Sequence, residues 1–384
     1  MFPRGLLLSG LLVSGCVVAQ DSSPPRLNDG WETARPADVG LDPQALAAMT
    51  EALRAGEFGN IHAVIVERRG RLVYEEYFAG PDASRGRDLG EVIFGVDTAH
   101  DLRSVTKSVT SALVGIAVAR GDLTGVDTSL TELLPEYRAL LTGSKGDITL
   151  RHMLTMSSGL TWDESLSYSD PMNYERRMIE AEDPIGFVLA QPLIEDPGSR
   201  WNYSGGDTQV LAAVLEAATT TPLLEYARKV LFEPLGVHEV DWPGYMAGTP
   251  SAASGLRLLP RDLAKIGSLF LNSGRWQDTS ILPEAWIESS ISSHIQNTSP
   301  SPPDFVLFEG YGYQWSVNTF ATSLGQLDVA TAVGNGGQRI FLIPALDMVV
   351  TVLAGFYDDP QHFWTPERLL FQRILPAVTD HARE

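Results

Sequence analysis

The residue pair in this chain best suited to chemistry is Ser104 and Lys107, in Ser104-Val105-Thr106-Lys107 at the head of an apolar stretch. A spacing of three puts both side chains on one helical face, a single turn apart, so the amine reaches the hydroxyl. The helix N-terminus contributes the positive end of its dipole, which favours an oxyanion there. Desolvation on so apolar a helix is expected to push the lysine toward its neutral, basic form. Nucleophile plus base is the equipment of covalent acyl transfer. The plainer reading makes Ser104 an N-cap and Lys107 a solvated lysine, but the flanks of Lys107 are too apolar for a solvated face. Lysine is also scarce, with four against 24 arginines. The other three, Lys145, Lys229 and Lys265, follow Thr142, Tyr226 and Asp262 by three residues.

Other chemistries lack their signatures. The chain has no Gly-x-Ser-x-Gly elbow, His-Glu-x-x-His, Cys-x-x-Cys, phosphate loop or dinucleotide fingerprint. Its seven histidines show no metal-ligand spacing, so no cofactor or metal is implied. His152, beside a helix start, reads as structural, although a Ser–His–Asp assembly stays open. A net charge of −20 over 384 residues disfavours nucleic acid or an anionic membrane surface as the main partner.

The elements that must hold the pair follow from patterning. Residues 104–120 read as a helix buried on most sides. Before it, 42–56 reads as a helix, and 62–67 with 72–78 as a β-hairpin. Residues 125–290 alternate short amphipathic stretches with Gly, Pro and Ser, a mostly helical insertion reaching to about 300. Strand patterns return at 313–317, 328–333, 339–343 and 348–353, ahead of a last helix over 366–378. Strands at both chain ends with helices between them predict an α/β (α+β) fold, with one sheet drawn from 60–103 and 311–356 and flanked by helices. At the N-terminus, Gly5 to Val13 suits a secretory h-region, and residues 1–19 read as a signal peptide. The only cysteine, Cys16, closes Leu12-Val13-Ser14-Gly15-Cys16, which resembles a bacterial lipobox. The expectation is a lipid-anchored or periplasmic protein, with cleavage after Ala19 as the variant. Residues 20–41 read as an extended tether and 42–384 as the catalytic domain.

Arg103-Ser104-Val105-Thr106-Lys107-Ser108 resembles the first active-site motif of the penicillin-binding-protein-like serine hydrolases, which include class C β-lactamases, DD-peptidases, esterases and 6-aminohexanoate-dimer hydrolases. Trp201-Asn202-Tyr203-Ser204-Gly205 looks like the family's tyrosine-led second motif, with Gly205 where lactamases usually carry Asn. Segments 154–162 and 255–264 match recurrent family stretches. The third motif, Lys-Thr-Gly in lactamases, falls by position at Ala332-Val333-Gly334, and Gly334-Asn335-Gly336-Gly337-Gln338 is similar to the esterase and amide-hydrolase side.

The resemblance implies a β-lactamase/transpeptidase-like fold whose sheet is mixed but mostly antiparallel. It implies Ser104, Lys107 and Tyr203 as catalytic residues, and the N–H groups of Ser104 and Asn335 as the oxyanion hole. A tyrosine there makes chemical sense, because acylation takes a proton from Ser104 and gives one to the leaving group. Gly334 and Gly336 would let the backbone approach substrate. Trp162, Tyr174 and Tyr313, with Tyr168, Tyr311 and Trp315, fall in segments flanking the family's cleft. Loss of the third-motif lysine removes the cation that holds a β-lactam or D-alanyl carboxylate. The expected substrate is therefore an ester or a small linear amide. A DD-peptidase or weak β-lactamase, and a catalytically silent binding or sensor domain, remain as alternatives.

Overall fold

A computed structural model describes residues 23–168, 170–244, 248–298 and 308–380; Cys16 and the apolar run before it lie outside them. Asp42 caps α1 (Pro43–Arg54) by accepting from the Gln44 N–H, and Pro43 sits in the first turn, where no N–H is needed. The hairpin forms from β1 (Ile61–Arg68) and β2 (Arg71–Tyr77). It continues an eight-stranded sheet in the order Ile295–Gln296, Gly310–Tyr311, Ser316–Thr322, Gly325–Gly334, Gln338–Ile343, Met348–Ala354, β1, β2. Every ladder in that sheet is antiparallel. The two ends of the chain therefore complete one sheet, with β1 lying against Met348–Ala354.

Side-chain alternation along these strands builds two cores. Ala63, Ile65, Ile340, Leu342, Val349 and Leu353 face one layer, while Val64, Val66, Phe341, Ile343, Val350 and Val352 face the other. The second layer is closed by α1 and the C-terminal helical segment. The first holds α2 (Val105–Arg120), whose residues from Val105 to Ala117 are all buried and whose end is turned by Gly121 at φ 78°. The middle of the chain is largely helical, including Leu150–Leu154, Gly205–Thr219 and Pro260–Leu271. The last helix is irregular, passing from Thr365–Leu369 through a π turn to a 3-10 turn around Pro376.

Two expectations need correction. The described part of the expected tether is built into the body. Trp31 is buried, Thr33 bridges Leu72 and Leu41 bridges Val378, and Asp29 pairs with buried Arg261. Its Pro and Asp content made it look like linker, but those residues serve a 3-10 turn at Pro36–Val39 and the Arg261 ion pair. Only 61–77 of the expected 60–103 joins the main sheet; β3 (Ala79–Ser84) and β4 (Arg87–Ile93) form a separate two-stranded ribbon, whose sequence carries no apolar alternation.

Helix α2 approaches its neighbours closely. A Cβ on Gly115 would lie 2.5 Å from the Trp286 ring. Gly115→Ala is expected to lower unfolding free energy by about 1–3 kcal/mol despite alanine's better helix propensity, as measured by urea denaturation.

Candidate active site

Ser104 stands at the junction between a strained turn and α2. Arg103 before it adopts φ 49°, in the left-handed region, which turns the chain sharply so that Ser104 heads the helix. The Ser104 hydroxyl does not cap the helix. It accepts from Lys107 Nζ at 3.1 Å and from the Tyr203 hydroxyl at 2.6 Å. Lys107 Nζ also donates to the Ala253 carbonyl at 2.9 Å and lies 4.8 Å from the centre of the Tyr203 ring. Tyr203 is delivered by the turn into Gly205–Thr219, whose N-cap Ser204 accepts from the Asp207 N–H. Gln314 ties these parts together: its carbonyl accepts from Ser108 on α2 and its side-chain oxygen from Thr208, while its amide donates to Leu154.

The three groups open into a cleft of about 580 Å³ lined by Trp162, Glu164, Tyr168, Trp201, Tyr311 and Asn335, among others. Neither the Ser104 nor the Asn335 backbone N–H donates to a protein acceptor among the described residues, leaving both available to a ligand oxygen. One ring braces the two turns that carry them. Tyr357 stacks beneath the Arg103 guanidinium at 4.5 Å and fills the space where a Cβ on Gly336 would be, 2.6 Å away.

Not every expected lining residue faces the cleft. Trp162, Tyr168 and Tyr311 line it. Tyr174 lies against Trp162, edge to face at 5.5 Å. Tyr313 accepts from Arg151 and stacks on His294, and Trp315 is buried in the core. Sequence proximity to the cleft does not fix which way an aromatic side chain points. Gly334 and Gly336 serve the backbone: a Cβ at Gly334 would meet the Leu102 carbonyl at 2.5 Å, and Gly336 holds φ 92°. His152 belongs to a capping box with Thr149, and the bonds recorded for the Ser104 hydroxyl run to Lys107 and Tyr203.

The electrostatics depart from expectation. Burial does work against the Lys107 charge, yet the Tyr203 phenol and the carboxyls of Glu164 and Glu175 outweigh it and raise its pKa above the ordinary lysine value. Burial raises the Tyr203 phenol too, against the pull of Lys107. The glutamates were invisible in the sequence because they reach Lys107 only through the fold. Glu164 accepts from the Trp162 indole and the Gly205 N–H, and Glu175 accepts from Ser254. Burial, with Glu175 nearby, pushes the Glu164 carboxyl up to about 7. Burial also pushes Asp207, held by Ser158 and Ser204, up to about 7.

A family model described as Beta-lactamase matches residues 61–361, and the chain belongs to that family, whose fold is the one described above. Esterase EstB of Burkholderia gladioli is 32% identical over 229 residues, covering 56% of this chain and 55% of the relative. 6-Aminohexanoate-dimer hydrolase of Paenarthrobacter ureafaciens is 26% identical over 322 residues, 79% of this chain and 74% of that one. The chain thus spans about half the length of the esterase and three quarters of the amide hydrolase. Among solved structures, EstCE1, a hydrolase with promiscuous acyltransferase activity, shares the fold with a TM-score of 0.66 at 19% identity, over 85% of this chain and 98% of that one.

A folded-state pKa raised above the unfolded value gives stability that is full below the unfolded pKa, near 3.8 for Asp207, and is lost as pH rises through about 7. Asp207→Asn, which keeps an acceptor for Ser158 and Ser204, is expected to stabilise the protein by roughly 1–3 kcal/mol at pH 8 and by little at pH 4. Thermal unfolding across that range checks the difference.

Proposed function

We propose that this protein is a serine hydrolase that forms an acyl-enzyme from a carboxylic ester or small linear amide. The observation that carries the reading is the Ser104 hydroxyl held jointly by Lys107 Nζ and the Tyr203 phenol at the cleft floor. In this mechanism Ser104 Oγ bonds to the substrate carbonyl carbon while its proton passes to the Lys107–Tyr203 pair. The carbonyl oxygen gains the negative charge and is held by the N–H groups of Ser104 and Asn335. The pair then returns the proton to the departing alcohol or amine as the C–O or C–N bond breaks. Water repeats the sequence to release the acid and restore Ser104.

With Lys107 and Tyr203 both raised, the resting pair holds its protons, and the reactive form has one fewer. Activity therefore rises toward alkaline pH. The carboxylate of Glu164 raises Lys107, so removing it moves that rise to lower pH.

Cleft chemistry supports the substrate class. Ala332 occupies the third-motif lysine position and is buried. The lining carries Asp163, Glu164, Asp358 and Glu367, while Arg339 is engaged by Glu367 and the His362 and Gly334 carbonyls. A substrate carboxylate meets acids there, which disfavours penicillins and D-alanyl termini and leaves neutral acyl donors favoured. The lipobox-like Cys16 supports export to the cell envelope, with the lipid as the link to the membrane.

Wild-type protein is expected to hydrolyse p-nitrophenyl esters and to be labelled at Ser104 by a fluorophosphonate. Ser104→Ala and Lys107→Ala should each lose at least about 10³-fold in kcat, and Tyr203→Phe about 10²-fold or more. In Glu164→Gln the alkaline rise should move down in pH. Faster acylation by a fluorescent penicillin than by esters would replace this reading with the peptidase one, and an unlabelled Ser104 would remove the enzyme reading. Metabolic labelling with an alkynyl fatty acid, lost in Cys16→Ala, checks the anchor.

A further inference from the structure

Three strands carry a buried constellation separate from the cleft. His62 on β1, Asp82 on β3 and His100 on β5 (His100–Asp101) bring one ligand atom each to within 4.8 Å of one another. Both rings are fully buried and Asp82 is 4% exposed. The sequence showed no ligand spacing because the three residues stand 20 and 18 positions apart, on strands that only the fold gathers.

The hydrogen bonds fix the tautomers. His62 Nε2 faces the Asn60 side-chain oxygen at 2.9 Å, an orientation set because the Asn60 amide donates to the Pro81 carbonyl. His100 Nδ1 faces the Asp101 carbonyl at 2.9 Å. Both partners accept only, so each of these nitrogens carries the ring's hydrogen. In neutral rings, His62 Nδ1 and His100 Nε2 are then both bare, and they face each other at 2.8 Å. Two opposed lone pairs repel, and a cation between them removes the conflict. The anion to balance it is present: Asp82 Oδ1 lies 3.8 Å from His100 Nε2 and accepts from Tyr357, while Asp82 Oδ2 is buried without a partner.

We propose that His62, His100 and Asp82 form a structural site for a divalent first-row transition-metal ion, with zinc the best match to two imidazoles and a carboxylate. The remote nitrogen of each ring already donates to an oxygen, the outer-shell arrangement that orients metal-bound histidines. With metal–nitrogen bonds of about 2.05 Å, nitrogens 2.8 Å apart subtend about 86° at the metal, so tetrahedral zinc requires the two rings to part by about 0.5 Å. The ion would join β1, β3 and β5, and β5 leads through Leu102 and Arg103 directly to Ser104. This inference is independent of the hydrolase reading, since its readout is metal content.

The test is the full chain unfolded in urea with chelator, then refolded with and without Zn²⁺ or Co²⁺ and freed of excess metal. One equivalent of zinc per chain by elemental analysis, a cobalt d–d absorption band and a thermal midpoint raised by several degrees are expected. Asp82→Asn and His62→Gln should each weaken zinc at least 10-fold. Wild-type protein that refolds without taking up metal would overturn the site, as would nitrogen NMR shifts showing an imidazolium shared by the two rings. The cobalt spectrum of the wild type decides the matter even if the variants fail to fold.

Discussion

A buried ammonium must be answered by its surroundings, and the answer to Lys107 organises much of this protein. At 2% exposure the side chain has almost no water. Its ammonium donates to the Ser104 hydroxyl and the Ala253 carbonyl, and its charge is balanced by acids on separate segments. Satisfying one lysine thereby fixes the serine a turn away, the tyrosine at the head of a second helix, and the loop bearing Glu164. The cation is held in place by the same neighbours, whose acids favour its charged form. Burial alone would have predicted the opposite direction.

The sheet supplies the rigidity this arrangement needs. The segment ahead of Ser104 and the strand ahead of Asn335 touch where Gly334 meets the Leu102 carbonyl, so the two available N–H groups descend from a single packed junction. Tyr357 then wedges both turns from the side. Its hydroxyl donates to Asp82, which couples the turn before Ser104 to the buried histidine constellation.

Local chemistry was the part of the molecule most legible in the sequence. The Ser104–Lys107 spacing, the all-round apolar α2 and the alternating strands near the two ends have local signals, and each appears where the pattern placed it except at 313–317, where 313–315 turns and the strand starts at Ser316. What was hidden depends on contacts between distant segments. Glu164, Glu175, Tyr357 and the His62–Asp82–His100 group sit in unremarkable stretches and gain meaning only from partners elsewhere in the chain. Tyr174 and Tyr313 show the converse: their segments border the cleft, but packing and an arginine partner turn the rings away from it. The N-terminal segment looked like a linker because Pro, Asp and Gly serve surface packing as readily as disorder.

That segment has a mechanical consequence. Strand β2 is an outer strand of the sheet, and a row of unpaired backbone groups on such a border invites pairing with another molecule. Here the Leu72 N–H donates to the Glu32 carbonyl, and the Ala34 N–H to the Leu72 carbonyl. The leading residues thus act as a selvedge that finishes the border at Leu72.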